Sequence, residues 1–185
     1  LEVKKLVAGA TDYIDPDQDF SFTITVSKPA NDSVTGNTVT AYVYDNDAEE
    51  LTGDTFTITY DTASDFTLKA NESLLFNTLP YGATYSVTED ITGIDNEDNY
   101  TISATWDDGD ALPGTKGDAT LTVETGLVED TDDSNNVTYT NTLDQSDVTP
   151  TGILMSNLPY IALALVAIGG LVAYVVVRRR NADEA

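Results

Sequence analysis

The 185-residue chain contains no cysteine and no histidine, a single methionine and a single tryptophan. Without cysteine, no disulfide can staple the fold. Without histidine, the chain lacks the commonest general base near neutral pH and the commonest transition-metal ligand. Basic residues are scarce as well: eight lysines and arginines face 32 acidic residues, for a formal net charge of −24. Three of the eight are Arg178, Arg179 and Arg180, so everything before them holds five lysines. Such a surface repels nucleic acid and anionic membrane and leaves a phosphate-binding function nothing to use. Solubility and self-repulsion account for the acidity. No Ser–His–Asp, Cys–His or phosphate-loop arrangement is present, so the chain is expected not to be an enzyme acting on an external substrate. Asp15, Asp17 and Asp19 have the spacing that opens a calcium loop. Phe20 stands where that loop needs glycine and Val26 occupies its twelfth position, so neither a metal nor a cofactor is expected.

One long stretch lacks charge altogether. From Ile153 to Val177 no side chain is charged, and Arg178 to Arg180 follow at once. The part from Tyr160 to Val177 alone makes roughly 27 Å of helix, close to a hydrocarbon core of about 30 Å. The arginines place the C-terminal end in the cytoplasm and export everything N-terminal to the span. The expected layout is an exported domain over residues 1–143, a polar linker over 144–152, a transmembrane helix over 153–177 and a basic cytoplasmic tail over 178–185. Leu1 already opens an alternating run, so these residues are expected to be the mature or C-terminal part of a longer precursor.

Before residue 150 the hydrophobic period is two, not 3.6. Phe20, Phe22, Ile24 and Val26 alternate strictly with Ser and Thr, as in a half-buried strand. Similar runs begin near residues 1, 37, 55, 65, 72, 83, 99, 118 and 135, punctuated by Asp, Asn, Gly and Lys clusters. Residues 45–54, 90–98, 107–117 and 125–134 read as acidic loops. The expected fold is all-β: an immunoglobulin-like sandwich of about nine strands.

Three polar residues break the apolar faces. Lys5 shares its face with Leu1, Val3 and Val7; Glu89 with Tyr85 and Val87; Asn141 with Val137 and Tyr139. Each is costly to bury alone. Desolvation lowers a lysine's pKa, which favours a neutral, nucleophilic amine, and raises a glutamic acid's, which favours a protonated acid. Such an amine can attack a carboxamide held against it and expel ammonia, with the acid as proton shuttle. Lys4 is the alternative lysine if the strand's parity is shifted by one.

The pattern LxVxKxVxG (Leu1 to Gly9), FxFTxTV (Phe20 to Val26), FTLK (Phe66 to Lys69), LPYGATYSVTE (Leu79 to Glu89) and VTYTNT (Val137 to Thr142) resembles the pilin-type and Cna-B-like isopeptide domains of Gram-positive surface proteins. The resemblance implies a bond between a first-strand lysine and a last-strand asparagine, assisted by a mid-chain acid. Lys5, Asn141 and Glu89 fall on those positions. The order of motif, apolar span and basic terminus is similar to a cell-wall sorting signal of the LPxTG kind. Only Thr151 and Gly152 match directly, and Pro150 occupies the variable position, as in pilin signals resembling xVPTG. That resemblance implies cleavage between Thr151 and Gly152 by a sortase and transfer to a cell-wall or pilin amine. The expected function is a structural cell-surface protein: pilin-like subunit, stalk or spacer. The alternative is a surface adhesin that binds a host protein or glycan through its loops.

Overall fold

The computed structural model describes residues 1–29, 36–106, 110–128 and 135–144. The expected membrane span, the sorting motif at Thr151–Gly152 and the basic tail lie outside them. Among the described residues no helix is long and apolar enough to cross a membrane. The chain order is β1 (Glu2–Gly9), β2 (Phe20–Ser27), β3 (Thr38–Asp45), β4 (Glu50–Thr59), β5 (Ser64–Leu68) and β6 (Glu72–Leu75). It continues with β7 (Thr84–Asp90), β8 (Tyr100–Trp106), β9 (Asp110–Lys116), β10 (Thr120–Leu127) and β11 (Asn136–Leu143). Two short 3₁₀ turns, Thr11–Tyr13 and Glu97–Asn99, precede β2 and β8.

The strands form two sheets. One has seven strands in the order β4-β3-β6-β1-β11-β8-β9, the other four in the order β10-β7-β2-β5. Alternation decides which side chains meet between them. In β2, Phe20, Phe22, Ile24 and Val26 are buried while their neighbours are more exposed. In β11, Val137, Tyr139, Asn141 and Leu143 are buried in the same rhythm. Each large apolar side chain removed from water contributes about 1.5–3 kcal/mol, so the two inward faces hold the sandwich together.

The first and last strands are neighbours. β1 pairs with β11 in parallel, Lys5 opposite Tyr139 and Val7 opposite Asn141, whereas every other pairing between the described strands is antiparallel. Gly9 ends β1 with φ +86°, and a Cβ there would lie 2.1 Å from the Leu143 carbonyl oxygen. No other residue fits so close an approach. The tight finish also lets the Ala10 N–H donate to the same carbonyl at 2.8 Å.

Among the described residues there are eleven strands rather than about nine. Ten of them match the alternating runs, and the eleventh is β9, in the stretch 107–117 read as an acidic loop, which contains Pro113 and Gly114. Among the described strands it pairs with β8 alone, at the sheet edge, the kind of position where a strand proline is tolerated. Gly114 sits where the β8–β9 register shifts, and a Cβ there would lie 1.9 Å from the Ile102 carbonyl oxygen. β4 also starts earlier than expected, at Glu50, as a polar edge extension with little apolar alternation to reveal it.

Candidate functional site

Lys5, Glu89 and Asn141 meet in the core. Lys5 comes from β1 and Asn141 from β11, adjacent strands of the seven-stranded sheet; Glu89 comes from β7 in the opposite sheet. The β1–β11 register puts Asn141 one inward position beyond the residue opposite Lys5, so the lysine side chain reaches it diagonally. All three are fully buried. Lys5 Nζ stands 2.7 Å from Glu89 Oε1, and Asn141 Nδ2 donates to that same oxygen at 2.7 Å. The Phe20 ring closes the lysine side, its centroid 4.3 Å from Nζ.

Three buried side-chain atoms among the described residues have no hydrogen-bond partner: Lys5 Nζ, Glu89 Oε2 and Asn141 Oδ1. The lysine is therefore close to its carboxylate but poorly aligned with it, and the acid and the amide each keep an oxygen free. Unsatisfied groups in a dry interior are expensive. All three belong to one cluster.

Electrostatics points the same way. Burial pushes the Lys5 amine down to about 8, with the nearby Glu89 charge opposing the shift. Burial likewise raises the Glu89 carboxyl above its ordinary value, with Lys5 and then Asn141 opposing. Desolvation dominates in both, so the pair is drawn toward neutral amine and neutral acid. With a pKa of about 8, roughly a tenth of the amine is unprotonated at pH 7, against fewer than one in a thousand at its ordinary value.

Lys4 faces the other way. It is half-buried on the outer side of β1, and its Nζ donates to Asn46 Oδ1 at 3.4 Å. Asp17, from the aspartate spacing considered for calcium, pairs with Lys69 at 3.1 Å. Two residues that matter to the cluster were not singled out in the sequence, Phe20 and Tyr139. Tyr139 is buried, and its hydroxyl donates to the Val87 carbonyl at 2.5 Å and accepts from the Val123 N–H at 3.3 Å. A tyrosine on an inward face was the available signal, since a buried phenol needs a partner.

An amine and a carboxamide that each contact one buried acid, away from solvent, thus lie in the core of an all-β domain. The chain belongs to the family described as Domain of unknown function (DUF7601), which matches residues 1–143. It is 38% identical over 119 residues to a pilin of Streptococcus pyogenes serotype M1, covering 63% of this chain and 31% of that protein. Its fold is similar to the crystal structure of the major pilin from Streptococcus pyogenes, with TM-score 0.57 and 25% identity over 77% of this chain and 47% of that one. A glutamate-to-alanine variant of that pilin matches equally well, with TM-score 0.57 and 25% identity over the same shares. The chain thus spans less than half the length of these relatives. Within that span its sequence and fold are similar to those of these streptococcal pilins.

Proposed function

We propose that residues 1–143 form a pilin-like structural subunit of a Gram-positive cell surface, stabilised by an intramolecular isopeptide bond between Lys5 and Asn141. The observation that carries this reading is the convergence of Lys5 Nζ and Asn141 Nδ2 on one oxygen of a buried Glu89. The neutral Lys5 amine attacks Cγ of Asn141 and a C–N bond forms. Glu89, protonated at the outset, donates toward the carboxamide oxygen, accepts a proton from the attacking nitrogen and returns one to Nδ2. Nδ2 leaves as ammonia, the acid ends as it began, and the product is a secondary amide. Half a turn of the Asn141 carboxamide exchanges Nδ2 for the unpartnered Oδ1 and gives the protonated acid its acceptor. The chain has no histidine, so a desolvated carboxyl does the proton work. Proximity supplied by the fold replaces any activating cofactor.

The bond suits a subunit under tension. β1 and β11 run in parallel side by side, so force applied at Leu1 and Leu143 shears them along their shared register. A covalent tie between residues 5 and 141 carries that force directly. By the chain-entropy account of crosslinks it also adds on the order of 5 kcal/mol of stability. Residues 153–177 serve as the membrane anchor. A sortase then cleaves between Thr151 and Gly152 and passes the domain to a cell-wall or pilin amine.

Intact mass of the folded 185-residue chain tests the crosslink. A deficit of about 17 Da, the ammonia lost on condensation, is expected; a folded chain of unchanged mass overturns the reading.

A further inference from the structure

We infer that Tyr139 is a positioning residue for the Lys5–Asn141 reaction: its hydroxyl sets the slip of one sheet against the other and so brings Glu89 to the reacting pair. The inference rests on the crosslink reading above.

No described strand pairs across the two sheets, so their relative slip rests on the connecting segments and on side chains that reach from one sheet to the other. Tyr139 supplies a link of that kind at the level of the cluster. Its hydroxyl leaves β11 of the larger sheet and sits between two backbone groups of the smaller one, the Val123 N–H of β10 and the Val87 carbonyl of β7. Val123 and Val87 are register partners, and the β10–β7 register shifts immediately after Val123. The phenol thus occupies the end of the regular ladder, where a donor and an acceptor are both at hand.

Spacing ties this clamp to the chemistry. Val87 precedes Glu89 by one inward position, and Tyr139 precedes Asn141 by one inward position. Tyr139 also lies directly opposite Lys5 in the parallel register. One hydrogen-bonded contact therefore locks, one step away, the alignment of all three reacting side chains. The ring is held in turn by an edge-on contact with Phe22, centroids 5.5 Å apart. Burial raises the phenol's pKa, so it stays protonated and serves as donor and acceptor at once. Both hydroxyl partners are backbone groups, which leaves it no proton to relay to Glu89. Its part is geometry.

Misplacing reacting groups by about 1 Å costs on the order of 100-fold in rate. Tyr139→Phe keeps the ring and its Phe22 contact and removes only the clamp. The 185-residue chain and the variant, each taken up in denaturant before crosslinking, are diluted into folding buffer. Loss of 17 Da is then followed in time by intact mass, and folding by the fluorescence of Trp106, the only tryptophan. The expected result is a 10- to 100-fold slower mass loss at equal folded fraction, with the rate–pH profile lowered but its inflections unmoved. Equal rates at equal folded fraction overturn the inference, as do shifted inflections, which mark a proton-transfer role. If the variant folds poorly, both chains are compared in sucrose, which favours the compact state; failure to fold even there overturns a positioning role. No mass loss in the parent chain sinks the crosslink reading itself, a separate outcome.

Discussion

Lys69 and Lys5 each face one carboxylate, at 3.1 Å from Asp17 and 2.7 Å from Glu89. The side chains of the first pair are 39% and 84% exposed, those of the second 0% and 0%. At the surface, the hydrogen bond and charge of Asp17 raise the Lys69 pKa, as an opposite charge in water should. In the core the same pairing loses to desolvation, and the Lys5 amine falls to about 8. Environment, not partner, sets the sign. A lysine beside an acid is a weak surface ion pair in one place and a desolvated amine of lowered pKa in the other.

The contrast can be broken most severely by removing the proposed bond while leaving the pair. Asn141→Ala is expected to abolish the 17-Da deficit and lower unfolding stability by on the order of 5 kcal/mol, measured by denaturant titration. A loss below about 1 kcal/mol would place the protein's stability elsewhere. Lys5→Met fills the same slot with an apolar chain of similar length and should cost nearly as much, since most of the effect is the crosslink.

Next in size is Gly9→Ala. The positive φ and the close Leu143 carbonyl predict about 1–3 kcal/mol of destabilisation. Because β1 and β11 splay at that end only, the mass deficit should survive. Its disappearance would mean that alignment at residue 9 reaches the cluster.

Acidity sharpens the comparison further. Below about pH 8 the Lys5 amine is increasingly protonated, so the rate of ammonia loss should fall up to about tenfold per pH unit. Ionisation of Glu89, whose carboxyl burial holds above its ordinary pKa, should slow the loss as well. In the uncrosslinked Asn141→Ala chain, Lys5 has a folded pKa below its ordinary 10.5, so the unfolded state binds more protons between about 8 and 10.5. The Lys5 contribution to stability therefore rises with pH across that window. Lys69, with its pKa raised, has the opposite sign, and its contribution is lost as pH rises through the folded value. A flat Lys5 contribution from pH 8 to 10.5, read as the difference between Asn141→Ala chains with and without Lys5→Met, would contradict its desolvation.

The smallest effects belong to the surface. Lys69→Met and Lys4→Ala should leave the mass deficit intact and the melting temperature nearly unchanged. Loss of the deficit in Lys4→Ala would reassign the nucleophile.

Period-two alternation puts Glu89, Asn141 and one lysine of the Lys4–Lys5 pair on inward faces, because a strand's side-chain direction is set residue by residue by its pleat. The strands themselves were legible for the same reason. β9 escaped, since Pro113 and Gly114 carry loop signals that an edge position and a register shift overrule. Tyr139 was legible as core and not as a clamp, because the Val87 carbonyl and Val123 N–H it needs lie 52 and 16 residues away in sequence.

Composition and pattern by themselves thus determined a cysteine-free, histidine-free, acidic β domain with three polar side chains turned inward. Only the tertiary structure decided that those three side chains meet, that Lys5 and not Lys4 faces the core, and that one tyrosine spans both sheets. Inwardness is a local property of the backbone; contact depends on which strands pair, in which direction and at which register, and only the whole folded chain settles that.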